Sequence, residues 1–206
     1  AMRIDSTAVS TEWESTMARR IMDQLRGELY LDQRYLNAAL GALPPAPLPP
    51  GTTGVAFAAD GARLCYPPAW VLATYRKNRR YLPRAYLHSV LHCIFRHLWT
   101  KGRRDKRLWH LACDIAVENV IDGLGRKSVQ RPLSYVRQHA YEEIKAEQKV
   151  VAAAPTYRWL LGQTPGVLRQ LEREFYTDDH RLWPKDAPEQ PQQMPTPLPQ
   201  KTWQKI

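Results

Sequence analysis

The stretch YLHSVLHCIFRHLW, residues 86–99, is an apolar run that carries His88 and His92 four positions apart. An α-helix advances by roughly 100° per residue, so these two histidines lie on one face, one turn apart. His97 falls about 180° from His88 and can join them only if the helix ends before it. Two imidazoles on one face can bind one zinc ion, but such a pair can also consist of ordinary buried or surface histidines. The stretch therefore predicts a helix in the protein interior whose histidine face needs a partner.

The next predicted helix, within residues 106–125, offers candidate partners for that face. It carries Asp114 and Glu118 four positions apart in the otherwise apolar sequence KRLWHLACDIAVENVIDGLG. A buried carboxylate without a cation or a hydrogen-bond partner is costly, so two acids on an apolar helix indicate a bound cation. The two pairs together predict a metal site. In the alternative, the acids form salt bridges between helices with Arg96, Arg103 or Arg107.

The remaining pattern predicts an α+β fold that is mostly helical. Residues 9–41 have the apolar period of two helices, the first with a Ser-Thr cap signal. The proline-rich LPPAPLPPG, residues 43–51, ends all helix and is expected to run extended over the surface. The pair Asp60-Gly61 lies between two short alternating runs and predicts a β-hairpin. Further helices are expected near residues 69–77, from about Pro83, and within 106–125, 132–150 and 165–176.

The sequence predicts one domain with two tails. Residues 1–8 are interpreted as a tag scar and tail, 9–183 as the domain, and 184–206 as a Pro/Gln-rich linker toward a missing C-terminal domain. No run is apolar enough to span a membrane and no secretion signal is visible, so we expect a cytoplasmic location without membrane contact. The three cysteines are an odd number, which argues against a disulfide framework.

The net charge of +10 raises the question of nucleic-acid binding. The basic residues concentrate in RKNRR, residues 76–80, and in KGRRDKR, residues 101–107. No RNA-binding motif and no zinc-finger spacing accompanies these clusters. They are interpreted as solvated loops and helix ends, and nucleic-acid binding is the weaker alternative.

Three runs together carry a family resemblance: ADGARLCYPP at 59–68, YLHSVLHCIFRHL at 86–98 and RLWHLACDIAVENVID at 107–122. They resemble the bacterial putative metallopeptidase domain that lies N-terminal to VWA-like domains and is often encoded beside MoxR-type AAA+ ATPases. The resemblance implies a zincin-like fold with a β-hairpin beside a helix that carries H-x-x-x-H. It also implies one zinc ion per chain, a peptide substrate, and both the ATPase and the VWA-like domain as partners.

The resemblance also implies roles for individual residues. His88 and His92 match the paired metal-binding histidines, and Asp114 matches the aspartate of the following helix. His97 matches a third histidine of the family motif. The run DDHRLW, residues 178–183, is similar to a recurring C-terminal element of the family.

One residue departs from the zinc-peptidase signature H-E-x-x-H, because Ser89 occupies the glutamate position. That glutamate acts as the general base, and a serine hydroxyl is far too weak a base near neutral pH. Glu118 is the nearby carboxylate that could replace it as a catalytic base, or it could instead orient His88 or His92 from behind.

Two functional hypotheses follow from the sequence. The first is a zinc-dependent metallopeptidase, either active or impaired by Ser89 in place of the usual glutamate, that aligns an extended peptide along the hairpin edge near residues 54–58. The second is a non-catalytic metal-binding adaptor that works with the ATPase and the VWA-like domain. Whether the chain is an enzyme stays open at this stage. His180 is a candidate fourth ligand that would complete the coordination sphere of the metal. His110 and His139 are predicted to be ordinary helix residues.

Overall fold

The computed structural model describes residues 6–185 and 202–206. The predicted class, α+β and mostly helical, is confirmed. The helices are α1 Ser6–Asp32, α2 Asn37–Ala42, α3 Pro68–Asn78, α4 Tyr81–Ile94, α5 Lys106–Leu124, α6 Tyr135–Gln148, α7 Ala153–Leu161 and α8 Pro165–Phe175. The strands are β1 Pro45–Pro47, β2 Ala58–Ala59 and β3 Leu64–Tyr66. Within the described ranges, no helix combines the length and the apolar content that crossing a membrane requires.

Two helices occupy residues 9–41, as predicted, but the break between them lies at residues 33–36 and not near Gly27, where the sequence pattern places it. Helix α1 continues to Asp32 without a break at Gly27. Its apolar face runs through this point, since Leu25 and Leu29 are both buried. A glycine within a helix costs about 1 kcal/mol relative to alanine, which is less than the burial of one leucine contributes. The helical path changes only at the 3₁₀ turn Arg34–Leu36, after which α2 begins.

The predicted hairpin is confirmed, and it belongs to a three-stranded sheet of order β1-β3-β2. Strands β2 and β3 are antiparallel, with Ala58 opposite Cys65. In the turn, the Asp60 carboxylate accepts hydrogen bonds from the backbone N–H groups of Ala62 and Arg63, and Gly61 has a positive φ. The proline-rich segment is extended, as expected, but it also forms β1 and pairs in parallel with β3. Prolines are tolerated there because β1 is an edge strand.

Helix α7 was not predicted. Its sequence AAPTYRWLL is short and carries a proline in its first turn, so its local helical signal is weak. The helix is stabilised by packing, because Trp159 and Leu160 are buried against α5 in a cluster that α6 and α8 complete. The helices predicted within 132–150 and 165–176 correspond to α6 and α8.

Helices α4 and α5 lie at the centre of the fold. Every residue of α4 from Leu82 to Cys93 is buried. Helix α5 places Val117 in the core with α1, α3 and α4, and Ile115 in the second cluster with α6, α7 and α8. Because α5 packs on two sides, its acidic side chains are carried into the interior. Helix α5 ends at Leu124, where Gly125 adopts the left-handed conformation typical of a helix C-terminus.

The domain boundaries predicted from the sequence remain predictions. Residues 1–5 of the predicted tail and 186–201 of the predicted linker lie outside the described residues. Trp203 is buried in the same core as α4, and its indole N–H donates a hydrogen bond to the carbonyl of Gly61.

Candidate metal centre

Five side chains converge between α4, α5 and the segment after α8. The group consists of His88, His92, Asp114, Asp178 and His180, and one potential ligand atom from each lies within 4.8 Å of all the others. The structure therefore brings together the three predicted ligands and His180, the candidate fourth. Asp178 was not singled out from the sequence.

The donor atoms are close enough to share one ion. Asp114 Oδ1 lies 3.0 Å from Nε2 of both His88 and His92, and 3.1 Å from Nε2 of His180. Asp178 Oδ1 lies 2.8 Å from His180 Nε2, 3.3 Å from His88 Nε2 and 3.7 Å from His92 Nε2. Two atoms bound to a tetrahedral zinc ion at 2.0–2.1 Å are about 3.3 Å apart. The observed distances bracket this value, so the donor set fits a metal ion.

The charges of the donor set also fit a divalent cation. Three neutral imidazoles and two carboxylates together carry the charge that one such ion cancels. Without an ion, protons take its place. Burial lowers the pKa of His180, but Asp114 and Asp178 outweigh it and raise this pKa to about 10. Against the effect of burial, Asp178, Asp114 and Glu118 likewise raise the pKa of His88 well above its ordinary value.

Asp178 and His180 reach the site from an irregular segment, 176–185, that follows α8. The backbone N–H of Asp179 donates a 2.7 Å hydrogen bond to the carbonyl of Phe57, and Asp179 forms a parallel bridge with Ala58. Arg181 donates to the carbonyl of Gly54. The segment therefore occupies the hairpin edge that we expected to align a peptide.

Ser89 contacts the metal site through Asp178. Its buried hydroxyl lies 2.9 Å from Asp178 Oδ2 and 3.1 Å from the carbonyl of Ala85, one turn earlier in α4. Asp178 is therefore oriented with Oδ1 among the imidazole nitrogens and Oδ2 toward the serine. The position that carries a glutamate in H-E-x-x-H here holds a hydrogen-bond donor to a candidate ligand.

Glu118 lies behind His88 rather than beside the donor atoms. Its Oε2 is 3.0 Å from His88 Nδ1, on the side of the ring opposite Nε2. Its Oε1 accepts hydrogen bonds from the guanidinium groups of Arg84 and Arg137. Burial raises the pKa of Glu118, but His88 and the two arginines outweigh it and lower this pKa to about 2. These contacts favour the orienting role for Glu118, and its role as a catalytic base stays a prediction.

His97 joins the site because α4 ends before it. Arg96 adopts a left-handed conformation with φ of 60°, and the 3₁₀ turn His97–Trp99 follows. His97 Nδ1 then lies 3.0 Å from Nδ1 of His92. Burial and the nearby His92 lower the pKa of His97 well below its ordinary value, so its ring is neutral and shares one hydrogen bond with the ring of His92. His97 thereby orients His92 and is not one of the five converging residues.

The other two histidines lie outside the donor set. His139 is exposed and forms a 3.2 Å ion pair with Glu143. His110 is half-buried one turn before Asp114, and its ring centroid lies 4.8 Å from that of His180 and 4.6 Å from that of Trp183. His110 therefore borders the metal site without belonging to its donor set, and its role as an ordinary helix residue stays a prediction.

A family model described as a putative metallopeptidase domain matches residues 11–160. The chain belongs to this family. The matched region contains the histidine pair of α4 and Asp114, whereas Asp178 and His180 lie beyond it. Comparison with curated proteins and with solved structures gave no match.

Proposed function

We propose that this member of the metallopeptidase family is a zinc-binding domain in which protein atoms fill the metal shell, so that peptide hydrolysis is impaired. The observation that carries the proposal is the convergence of five donor atoms, two of them from residues 178–180. A zinc ion supplies Lewis acidity where a coordination position stays open, and acts as a structural cross-link where protein atoms fill every position. Catalytic zinc sites have three protein ligands, fewer than converge here.

The surroundings of the donor set support the same reading. Ser89 supplies a hydroxyl to Asp178 at the position where the zinc-peptidase signature H-E-x-x-H places a base. The nearest buried acid outside the set, Glu118, uses both carboxylate oxygens to bind His88, Arg84 and Arg137. The side chains of His88, His92 and Asp178 are fully buried, and those of His180 and Asp114 are only 8% and 13% exposed. A substrate carbonyl would have little room to reach the centre.

Metal analysis combined with cobalt substitution tests this proposal. Protein purified without added metal is expected to contain about one zinc per chain, and the His88→Ala/His92→Ala variant is expected to contain none. In the cobalt-substituted protein, the visible spectrum is expected to stay unchanged when azide is added, because no position is open to an external ligand. Zinc at background level in the unmodified chain would remove the proposal.

The competing function is an active zinc peptidase with Glu118 as its base, which family membership favours. The two functions differ in one measurement on the full-length protein. Suppose that peptide cleavage depends on the metal and is abolished by Glu118→Gln in a variant that keeps its metal. This result would show that the chain is a peptidase and would contradict a coordination sphere filled by protein atoms. No cleavage above that of the His88→Ala/His92→Ala variant is the result we expect.

For the biological role, we extend the proposal to an adaptor in the cytoplasm that has a zincin-like core and works with a MoxR-type AAA+ ATPase and a VWA-like domain. The support is the sequence resemblance and the Pro/Gln-rich composition of residues 184–206, which is typical of linkers. Purified ATPase is expected to bind the chain in size-exclusion chromatography. Separate elution of the two proteins at micromolar concentrations, with and without ATP, would contradict this role.

A further inference from the structure

A cavity of about 260 Å³ lies beside the metal centre and shares His180 with it. Its aromatic wall includes His110, Trp109 and Trp183. The rings of His180 and Trp183 are stacked, with centroids 3.9 Å apart and planes 15° apart. Pockets for drug-sized ligands have roughly 300–1,000 Å³, so this cavity suits a smaller molecule or one terminal group of a longer one.

The charged side chains around this cavity all have the same sign. Lys101, Lys106, Arg181 and Lys185 line it, and no acidic residue of the described chain does. Arg181 is balanced by Asp179, with which it forms a 2.8 Å ion pair. Lys106 and Lys185 are exposed.

The nearest acids do not offset this positive charge once the metal site is filled. Asp114 and Asp178 then neutralise the divalent ion, and Glu118 is already paired with two arginines. An anion in the cavity would meet lysine side chains and an aromatic wall. It would also meet one polar group in the wall, the half-buried ring of His110.

We infer that this cavity binds a carboxylate attached to a flat or apolar body, with Lys106 and Lys185 contacting the charge and the Trp109–His110–Trp183 wall contacting the body. Aromatic faces favour flat apolar groups, and an ammonium group at the mouth favours an anion. The ligand chemistry fits a small aromatic acid or the C-terminal residue of a peptide. The inference rests on the proposed function in one respect, namely that the bound ion balances the two aspartates.

Calorimetric titration of the zinc-loaded chain with benzoate and with benzamide tests the inference, because the two probes share a shape and differ in charge. Benzoate is expected to bind with a Kd below about 1 mM, and benzamide about tenfold more weakly. Lys106→Ala and Lys185→Ala are each expected to weaken benzoate binding by about threefold to fivefold. The matched control Lys145→Ala, on the exposed surface of α6, is expected to leave it unchanged.

Equal affinities for benzoate and benzamide, or unchanged benzoate binding in both cavity variants, would overturn the inference, as would no benzoate binding at 10 mM, a concentration about tenfold above the expected Kd. A second pair of probes, acetyl-Gly-Phe with a free or an amidated C-terminus, distinguishes a peptide C-terminus from a small aromatic acid as the ligand. Tighter binding of the free acid than of benzoate identifies a peptide terminus, and the reverse identifies a small acid. Zinc is quantified in the same samples. If the chain takes up no zinc, the proposed function fails; charge-dependent benzoate binding by that zinc-free chain would keep the cavity inference and remove only its premise that an ion balances the aspartates.

Discussion

The hydroxyl of Ser89 and the carboxylate of Asp178 form a buried hydrogen bond of 2.9 Å, although the two residues are 89 positions apart in the chain. The second oxygen of that carboxylate faces the histidines of the candidate metal centre. A glutamate at position 89 would place a second negative charge at this contact. The serine and the aspartate therefore form a matched pair, and the departure from H-E-x-x-H has a structural partner.

Removal of the serine hydroxyl is expected to weaken metal binding. In Ser89→Ala, Asp178 loses the donor that fixes its orientation, and loss of such supporting contacts lowers metal affinity by about 10- to 100-fold. Competition with a chromophoric chelator measures the change. Ser10→Ala, on the exposed surface of α1, serves as the control. Affinity equal to that of the unmodified chain would show that Asp178 does not depend on Ser89.

Restoration of the signature glutamate is expected to damage the site rather than to activate it. Ser89→Glu places two carboxylates side by side in the interior, where like charges repel and desolvation is costly. We expect lower metal content and no peptide cleavage. The double variant Ser89→Glu/Asp178→Ser removes the conflict, so it is expected to bind metal better than the single variant. A double-mutant cycle with additive effects would contradict the pairing of the two residues.

The metal-free protein is expected to lose stability as the pH rises from about 6.5 toward 10. The pKa of His180 is raised from 6.5 to about 10 in the folded chain. The stabilisation that its protonated ring provides is therefore complete below pH 6.5 and disappears as the pH rises through about 10. The slope for one proton is about 1.4 kcal/mol per pH unit. Denaturant titrations of metal-free protein across this range measure it. His180→Gln is expected to flatten the slope, and an unchanged slope in that variant would contradict the assignment.

Metal binding is expected to release about two protons at pH 7. The pKa values of His88 and His180 are both raised in the metal-free chain, so both rings are positively charged at pH 7. The metal ion must displace one proton from each ring. Calorimetric titrations with zinc in buffers of different ionisation enthalpy give the number of protons. Release of no protons would show that the imidazoles are already neutral without the metal.

Glu118→Gln is expected to lower the free energy of unfolding by about 3 kcal/mol. The substitution removes the charge that Arg84 and Arg137 share in the interior, where their side chains are 7% and 0% exposed. Denaturant unfolding measures the loss. A surface comparison is Glu172→Gln, which removes an exposed ion pair with Arg107. This substitution is expected to lower the free energy of unfolding by less than about 1 kcal/mol, as is typical of exposed ion pairs.

The sequence anticipates those parts of the centre that depend on local periodicity. A spacing of four on one helix is enough to place His88 beside His92 and to direct Asp114 inward from an apolar helix. Asp178 and His180 lie on irregular backbone after α8, where no period applies. Their position depends on the pairing of Asp179 with Phe57 and Ala58, which is a contact between distant parts of the chain. The run DDH was the only local sign of them.

The fold shows the same division. The hairpin was predictable because the Asp60-Gly61 turn is encoded within a few residues. The parallel pairing of β1 with β3 joins segments whose relation has no local signal, so the proline-rich stretch could be predicted as extended but not as a strand of the sheet. Helix α7 was missed for a related reason, because its stability comes from packing against α5 and not from its own sequence.

The attachment of residues 178–180 to the hairpin has a consequence for biosynthesis. The donors of α4 and α5 leave the ribosome first, and the last two donors follow on the order of several seconds later at usual elongation rates. During that interval we expect the nascent chain to offer only His88, His92 and Asp114 as donors. Docking of Asp179 against Phe57 then adds the final two donors. The complete five-residue donor set therefore exists only after the segment that follows α8 has been synthesised and has docked on the hairpin.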